Sequence, residues 1–358
     1  MQRGSIVQKH GAWHLRYRLH GKEISVKLAD YSDDYRTKKS VRTLAERYLQ
    51  PANQGAPGDP QTVQQFVETV YFPHAEKNKR PSTVHGYRKL YNAYIQGRIG
   101  SFRLFEFRTR DAQRLLDEIA AENDLTHQTF KNIKSFLSAV FKLAKRLGSV
   151  EQNPIRDTEA PKGKESEETH AYTEAEITEM RKILDGVGKV AVTVAGYTGL
   201  SLGELQGLQW SDVTKDSIKV QRTVWRGIEG QPKTKARKDS VPLLKIVKDT
   251  LKEHRAANPL TVWVFENPEH SKPYDLATMG SKSIKDALKG SNVEWRGWHG
   301  CRRGFATRLH EHGVQDKIIQ SLMRHSSLSV TMKHYVKATP EANIEAMRKL
   351  NPKKRNRK

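Results

Sequence analysis

Four side chains able to do chemistry on a phosphodiester fall in order near the C-terminal end of this 358-residue chain. His299 and Arg302 sit in Trp298-His299-Gly300-Cys301-Arg302, His325 in Met323-Arg324-His325-Ser326-Ser327, and Tyr335 in Lys333-His334-Tyr335-Val336. An imidazole, a guanidinium, a second imidazole and a phenol suit a phosphate whose charge must be neutralised while one ester bond replaces another. His299 and Arg302 are three apart, so on a helix they share a face and could grip two oxygens of one phosphate. Tyr335 is the member of the set able to make a stable covalent bond to phosphorus. A formal net charge of +23 sets these groups in a field that attracts polyanions.

In this order and spacing the motifs resemble those of the tyrosine recombinases, the phage integrase family. The likeness runs through Gly297-Trp298-His299-Gly300-Cys301-Arg302-Arg303-Gly304-Phe305-Ala306-Thr307, then Leu322-Met323-Arg324-His325-Ser326-Ser327-Leu328 and Thr331-Met332-Lys333-His334-Tyr335. Upstream it takes in Thr198-Gly199-Leu200-Ser201-Leu202-Gly203-Glu204-Leu205 and Pro232-Lys233-Thr234-Lys235, so it covers roughly residues 165 to 345. The resemblance implies that Tyr335 attacks a backbone phosphate to give a 3′-phosphotyrosyl bond and a free 5′ hydroxyl, which then attacks the matching bond of a partner duplex. Arg302 would bind nonbridging oxygens, His299 and His325 would donate hydrogen bonds or move protons, and Lys233 would protonate the departing 5′ oxygen. Glu204 stands where the family has an orienting acidic residue; a carboxylate on a helix surface is the other reading. The implied partners are double-stranded DNA attachment sites, a homotetramer on DNA, and a host bending protein or directionality factor. No cofactor and no metal are expected, because the phosphotyrosyl link conserves bond energy and protein cations do the electrostatic work.

One position departs from the pattern. Ser201 stands where the family usually has its first catalytic arginine. A serine cannot supply a fixed positive fork, and losing one such donor typically costs roughly a hundredfold to a thousandfold in rate. Three readings are open: a slow enzyme, an enzyme that borrows a nearby cation, or a catalytically impaired DNA-binding relative. Arg303 and Arg324 are both near enough in sequence to lend the charge. A type IB topoisomerase would share the chemistry without the same N-terminal layout.

Composition agrees with a DNA-directed chain. Lys and Arg number 63 against 40 Asp and Glu, and hydrophobic residues make up 36%, enough for real cores. No apolar run approaches the roughly 18 residues of a membrane span and no signal-peptide pattern opens the chain, so the expected place is the bacterial cytoplasm, at the nucleoid. A single cysteine, Cys301, excludes an internal disulfide and reads as a packing residue.

The elements that must position the chemistry read as mainly α with small β elements: an N-terminal β module, a helical core-binding domain and a mixed α+β catalytic domain. Within residues 1–50, Trp13, Leu15, Tyr17 and Leu19 alternate with polar residues, and Ile24, Val26 and Leu28 resume the pattern after Gly21, predicting a hairpin. Its polar face carries Arg16 and Arg18. The resemblance implies arm-type DNA binding there, against a passive basic hairpin. A helix is predicted over 37–49 and a linker over 51–60. Residues 61–160 read as helices over 82–94, with Ser82 as N-cap, 109–121 and 127–147. Phe130, Ile133, Leu137, Val140, Phe141 and Ala144 give the last helix a core stripe; Lys131, Lys134, Lys142, Lys145 and Arg146 lie on its polar face. Lys131 and Lys134 are assigned to DNA phosphates, with Arg80 and Arg88 as weaker candidates; a solvated face is the alternative. A second linker over 161–168 would let two domains close on a duplex. The catalytic domain spans 170–350, with a strand over 217–224, a turn over 225–232 and a return strand over 238–243. A helical stripe of Ile344, Met347 and Leu350 docks on a neighbouring subunit or on its own, and 351–358 forms a basic tail.

Overall fold

The computed structural model describes residues 3–19, 22–53, 61–165, 169–232 and 239–325. The chain divides into two compact units, Met1–Glu167 and Glu168–Lys358, with the division inside the Pro- and Gly-containing second linker.

The first unit opens with an antiparallel sheet in the order Ser5–Lys9, Ala12–Leu19, Lys22–Asp30. Sequence alternation found the second and third strands and missed the first, where Ile6 is the buried residue. Leu15, Tyr17 and Val26 turn inward with Val41, Ala45 and Leu49, while Arg16 and Arg18 face out opposite Ser25 and Glu23. The following helix is Arg42–Asn53, later than predicted at both ends, so Pro51 lies in its last turn and not in a linker. Its Tyr48 hydroxyl donates to Glu106 at 2.8 Å, which fastens the β module to the helical part of the same unit.

That helical part has its own core. The His127–Arg146 helix, capped by the Thr126 hydroxyl accepting from Thr129 N–H, buries Phe130, Ile133, Phe136, Leu137, Val140, Phe141, Leu143 and Ala144. Each large side chain of that stripe contributes about 1.5–3 kcal/mol by leaving water. Phe136 meets Tyr71, Phe72, Tyr87 and Tyr91 in one aromatic group. The predicted 82–94 helix begins at Pro81 with Arg80 in the N-cap place, correcting the assignment of Ser82: proline favours the first helical position, where its missing N–H costs nothing. It runs on through a π-helical turn, Tyr91–Ile95.

The second unit is built around the Gly186–Thr198 helix, whose residues from Val190 to Thr198 are all buried. The Glu174–Ile183 and Trp298–Glu311 helices flank it. The predicted 217–224 strand is two strands in two sheets: Ser217–Lys219 pairs with Ser240–Pro242, and Thr223–Trp225 pairs with Ile228–Gly230. The break follows from Arg222, whose guanidinium turns back to the buried Asp212 carboxylate and to Gly207 O.

The Trp298–Glu311 helix can approach the segment at Tyr172 only because Gly300 and Gly304 form one small-residue face. A Cβ on Gly304 would lie 2.0 Å from Tyr172 O, and one on Gly300 would lie 2.8 Å from the Tyr172 ring. Arg308 fixes the same contact, donating to Tyr172 O at 3.3 Å and to Gly196 O. We expect Gly304→Ala to lower the urea-unfolding stability by at least about 1–3 kcal/mol, the usual cost of overpacking. Gly97→Ala, in a helix with open space around its Cβ, should hold or raise the midpoint.

Candidate active site

Glu204, Arg302 and Arg324 are brought together by two helix ends and one buried helix. The Gly186–Thr198 helix ends at Gly199 with φ +62°, a left-handed turn in which a Cβ would lie 2.7 Å from Phe305. The chain then enters the short Leu202–Gln206 helix with Ser201 as N-cap. Ser201 N–H donates to Glu204 Oε2 at 2.8 Å, which aims that carboxylate inward; Glu204 is 2% exposed. The sequence left Glu204 between an orienting residue and a surface carboxylate, and the structure removes the surface reading.

Arg302, on the first turns of the Trp298–Glu311 helix, is also 2% exposed. Its Nη1 donates to Gly199 O and lies 3.8 Å from Glu204 Oε2, and its Nη2 donates to Met323 O. Gly199 and Met323 are both C-cap residues, so one guanidinium serves the negative ends of two helices, the arrangement that helix dipoles favour.

The second helix end has its own geometry. Asp316–Leu322 stops with Arg324 N–H donating to Ser321 O at 2.9 Å and His325 N–H to Gln320 O at 3.0 Å. This bond pair is a Schellman motif, whose left-handed residue is usually glycine. Here that residue is Arg324, at φ +54°. A side chain in this conformation costs roughly 1–2 kcal/mol. Arg324 is 2% exposed, and its guanidinium donates to Leu322 O at 3.0 Å and meets Glu204 Oε2 at 3.0 Å. Arg303 goes elsewhere: its Nε donates to His170 O at 2.8 Å. Of the two arginines the sequence left open beside Ser201, Arg324 is therefore the one that reaches Glu204.

His299 is exposed, one helical turn before Arg302, and His325 is half-buried directly after Arg324. Sharing a helix face thus does not give His299 and Arg302 the same exposure. Lys233 and Tyr335, together with Ile344, Met347 and Leu350, lie outside the described residues. The brace from Tyr172 and Arg308 was missed by sequence reading, although the Gly300 and Gly304 spacing is a signal of close backbone approach. His170 Nε2 lies 2.8 Å from Glu176 Oε1. Burial pushes the Glu176 carboxyl up, but the Thr173 N–H and hydroxyl and the adjacent His170 outweigh it and hold it below the usual carboxylate range.

In the first unit, Lys131, Lys142 and Lys145 are exposed on the outer face of the His127–Arg146 helix, within an arc of about 60° at 3.6 residues per turn. Lys134 is half-buried and its ammonium is bound to Thr158 O, which takes it out of that exposed group. Arg88 is held by Glu76 at 2.7 Å and covers the Phe72 ring at 4.1 Å. Among the described residues, no group of three or more His, Cys, Asp or Glu is placed to hold a metal ion, and no helix is long and apolar enough to cross a membrane.

Residues 170–342 match the phage integrase family. The XerC-like tyrosine recombinase of Caldanaerobacter subterraneus subsp. tengcongensis is 26% identical over 352 residues, spanning 88% of this chain and 90% of the relative. Among solved structures, the Tn1549 transposon integrase in complex with transposon right end DNA superposes with a TM-score of 0.68 at 21% identity, covering 82% of this chain and all of that one. A lambda integrase tetramer bound to a Holliday junction gives 0.60 at 18% identity, covering 92% and 94%. Over residues 170–342 the chain carries the domain of the phage integrase family, the tyrosine recombinases. Its class is that of enzymes that cut and rejoin DNA, and the comparisons favour this over a catalytically impaired relative.

Cys301 lies inside the His299 to Arg302 motif and is fully buried, with its thiol pushed up to about 12 by burial. It is a packing group with no thiolate at neutral pH. We expect iodoacetamide to leave Cys301 unmodified in the folded protein at pH 8 and to label it after urea unfolding. Labelling at equal rates in both states would place the thiol at the surface.

Proposed function

We propose that this recombinase integrates or excises a mobile element by paired transesterifications, with Tyr335 as nucleophile. The Tyr335 hydroxyl passes its proton to His299 or His325 and its oxygen forms a bond to phosphorus, as the 5′ oxygen leaves and takes up a proton from Lys233. The freed 5′ hydroxyl of a partner strand then returns its proton to Lys233 and attacks the phosphotyrosyl bond, restoring the phosphodiester while the imidazole returns the first proton to the departing tyrosine oxygen. Arg302 neutralises the nonbridging oxygens in the crowded phosphorane, and His299 and His325 hydrogen-bond to it or relay protons. Glu204 orients the arginines. The observation that carries this reading is the buried Glu204, Arg302 and Arg324 cluster, in which two partners of one ion pair lie 120 positions apart in the sequence. A buried charge network of this kind is costly to maintain for packing alone.

DNA binding is assigned to the exposed Lys131, Lys142 and Lys145 face, with Arg16 and Arg18 on the β module for accessory arm sites. Four protomers would assemble on paired attachment sites, in the manner of the lambda integrase tetramer bound to a Holliday junction. A host bending protein or a directionality factor would set the outcome between integration and excision. The protein acts in the cytoplasm, on the nucleoid.

The test of chemistry is a nicked duplex carrying a core selected from random-sequence duplexes by binding to the native protein. A covalent adduct should form, map to Tyr335 and vanish in Tyr335→Phe while binding persists. Tight binding by the native protein without any adduct would overturn the reading. For binding, replacing Lys131, Lys142 and Lys145 together with alanine should flatten the dependence of log affinity on log salt by about 0.9 for each phosphate that is no longer neutralised. Lys134→Ala should change that slope little, and a triple variant with an unchanged slope would turn this face back into a merely solvated one.

A further inference from the structure

We infer that Arg324 supplies the phosphate-neutralising guanidinium that Ser201 cannot, entering the site from the opposite helix end. This deepens the recombinase reading and rests on it. Three independent features place Arg324 in the role. Its guanidinium meets Glu204 Oε2 at 3.0 Å, and the Ser201 backbone N–H donates to that same oxygen at 2.8 Å, so Arg324 stands one carboxylate atom away from Ser201. The second cation at that oxygen is Arg302 at 3.8 Å, which puts two guanidinium groups side by side around one anchor. Finally, Arg324 occupies the left-handed position of a Schellman turn, at φ +54°, where glycine is the residue without strain. An arginine kept there is not explained by the backbone, so the explanation lies with its side chain.

The neighbouring candidates do not compete. Arg303 donates to His170 O, and Arg308 is engaged with Tyr172 O and Gly196 O. Arg302 itself joins the two ends of the device, because its bonds to Gly199 O and Met323 O hold the turn before Ser201 against the turn carrying Arg324. A cation missing from one side of Glu204 is thereby replaced from the other without moving the carboxylate.

The experiment compares native protein, Arg324→Gly, Arg324→Lys, and Arg324→Gly combined with Ser201→Arg, on the nicked duplex with the selected core. Each is assayed with an ordinary scissile phosphate and with a methylphosphonate in its place, which carries no charge to neutralise. Arg324→Gly relaxes the strained turn, and its folding is checked by circular dichroism and urea midpoint. On the phosphodiester, Arg324→Gly should form adduct roughly a hundredfold to a thousandfold more slowly than native protein, the usual loss for one such donor. Arg324→Lys should retain an intermediate rate, since it keeps charge without the fork. On the methylphosphonate the gap between native protein and Arg324→Gly should shrink to about tenfold or less, and adding Ser201→Arg should restore most of the rate on the phosphodiester. An Arg324→Gly protein that cleaves the phosphodiester at the native rate overturns the inference and leaves the recombinase reading standing. So does a folded variant whose loss is equal on both substrates, because that is the signature of a structural ion pair. Absence of adduct from native protein would overturn the recombinase reading and this inference with it.

Discussion

A carboxylate buried to 2% exposure is tolerable only where cations and N–H donors surround it, and much of the candidate active site follows from how Glu204 is satisfied. One of its oxygens accepts the Ser201 N–H and the Arg324 guanidinium and has Arg302 at 3.8 Å. These groups belong to the end of the central helix, the turn after Leu322 and the flanking Trp298–Glu311 helix. The Arg302 bonds to Gly199 O and Met323 O tie the same three elements together a second time. Breaking such a buried pair from one side typically costs about 3–5 kcal/mol, so the cluster is also a constraint on the fold of the second unit.

Arg302 shows why the fixed geometry matters for chemistry. Two of its five N–H groups are held by Gly199 O and Met323 O before any substrate arrives. A guanidinium at two helix C-termini sits in a favourable field, and its direction is set by backbone carbonyls that do not move with side-chain rotamers. On the proposed mechanism this is preorganisation: positive charge stands where negative charge will develop, without rearrangement at the moment of reaction. The Gly300 and Gly304 face serves the same end one layer further out, since it lets Tyr172 and Arg308 press the helix carrying Arg302 against the central helix.

Legibility in the sequence followed the range of the interaction that decided each feature. Periodicity of 3.6 found the His127–Arg146 helix and its buried stripe, because burial and spacing there are local and repeat over twenty residues. The motif at His299 to Arg302 placed an arginine on a helix, and that helix is present. Alternation over 217–224 failed because the Arg222 bond to Asp212, a tertiary contact, splits the run into two sheets. The first strand, Ser5–Lys9, is short and exposes most of its residues, so it carries little alternation to detect. Lys134 looked equivalent to Lys131 in pattern, yet the carbonyl of Thr158 claims it, and no count along a helix reveals a loop folded back over it. Glu204 and Arg324 were ambiguous for the same reason: spacing tells which face a side chain shares, not which distant partner lies opposite.

The Schellman turn at Arg324 adds a step that neither motif nor distance gives alone. A helix C-terminus selects glycine at its left-handed residue because any Cβ there is crowded, and the penalty of roughly 1–2 kcal/mol is felt in every folded molecule. The bond pair from Arg324 N–H and His325 N–H stabilises the turn whatever side chain it carries. The arginine side chain adds one bond to the turn, from Nη1 to Leu322 O, and its other terminal nitrogen serves what the turn faces, the Glu204 carboxylate. Its neighbour His325 inherits its place from the same turn, so the strain that aims a guanidinium at Glu204 also fixes where the following imidazole begins. The serine at position 201 and the arginine at position 324 are then two halves of one arrangement, joined through a single carboxylate oxygen.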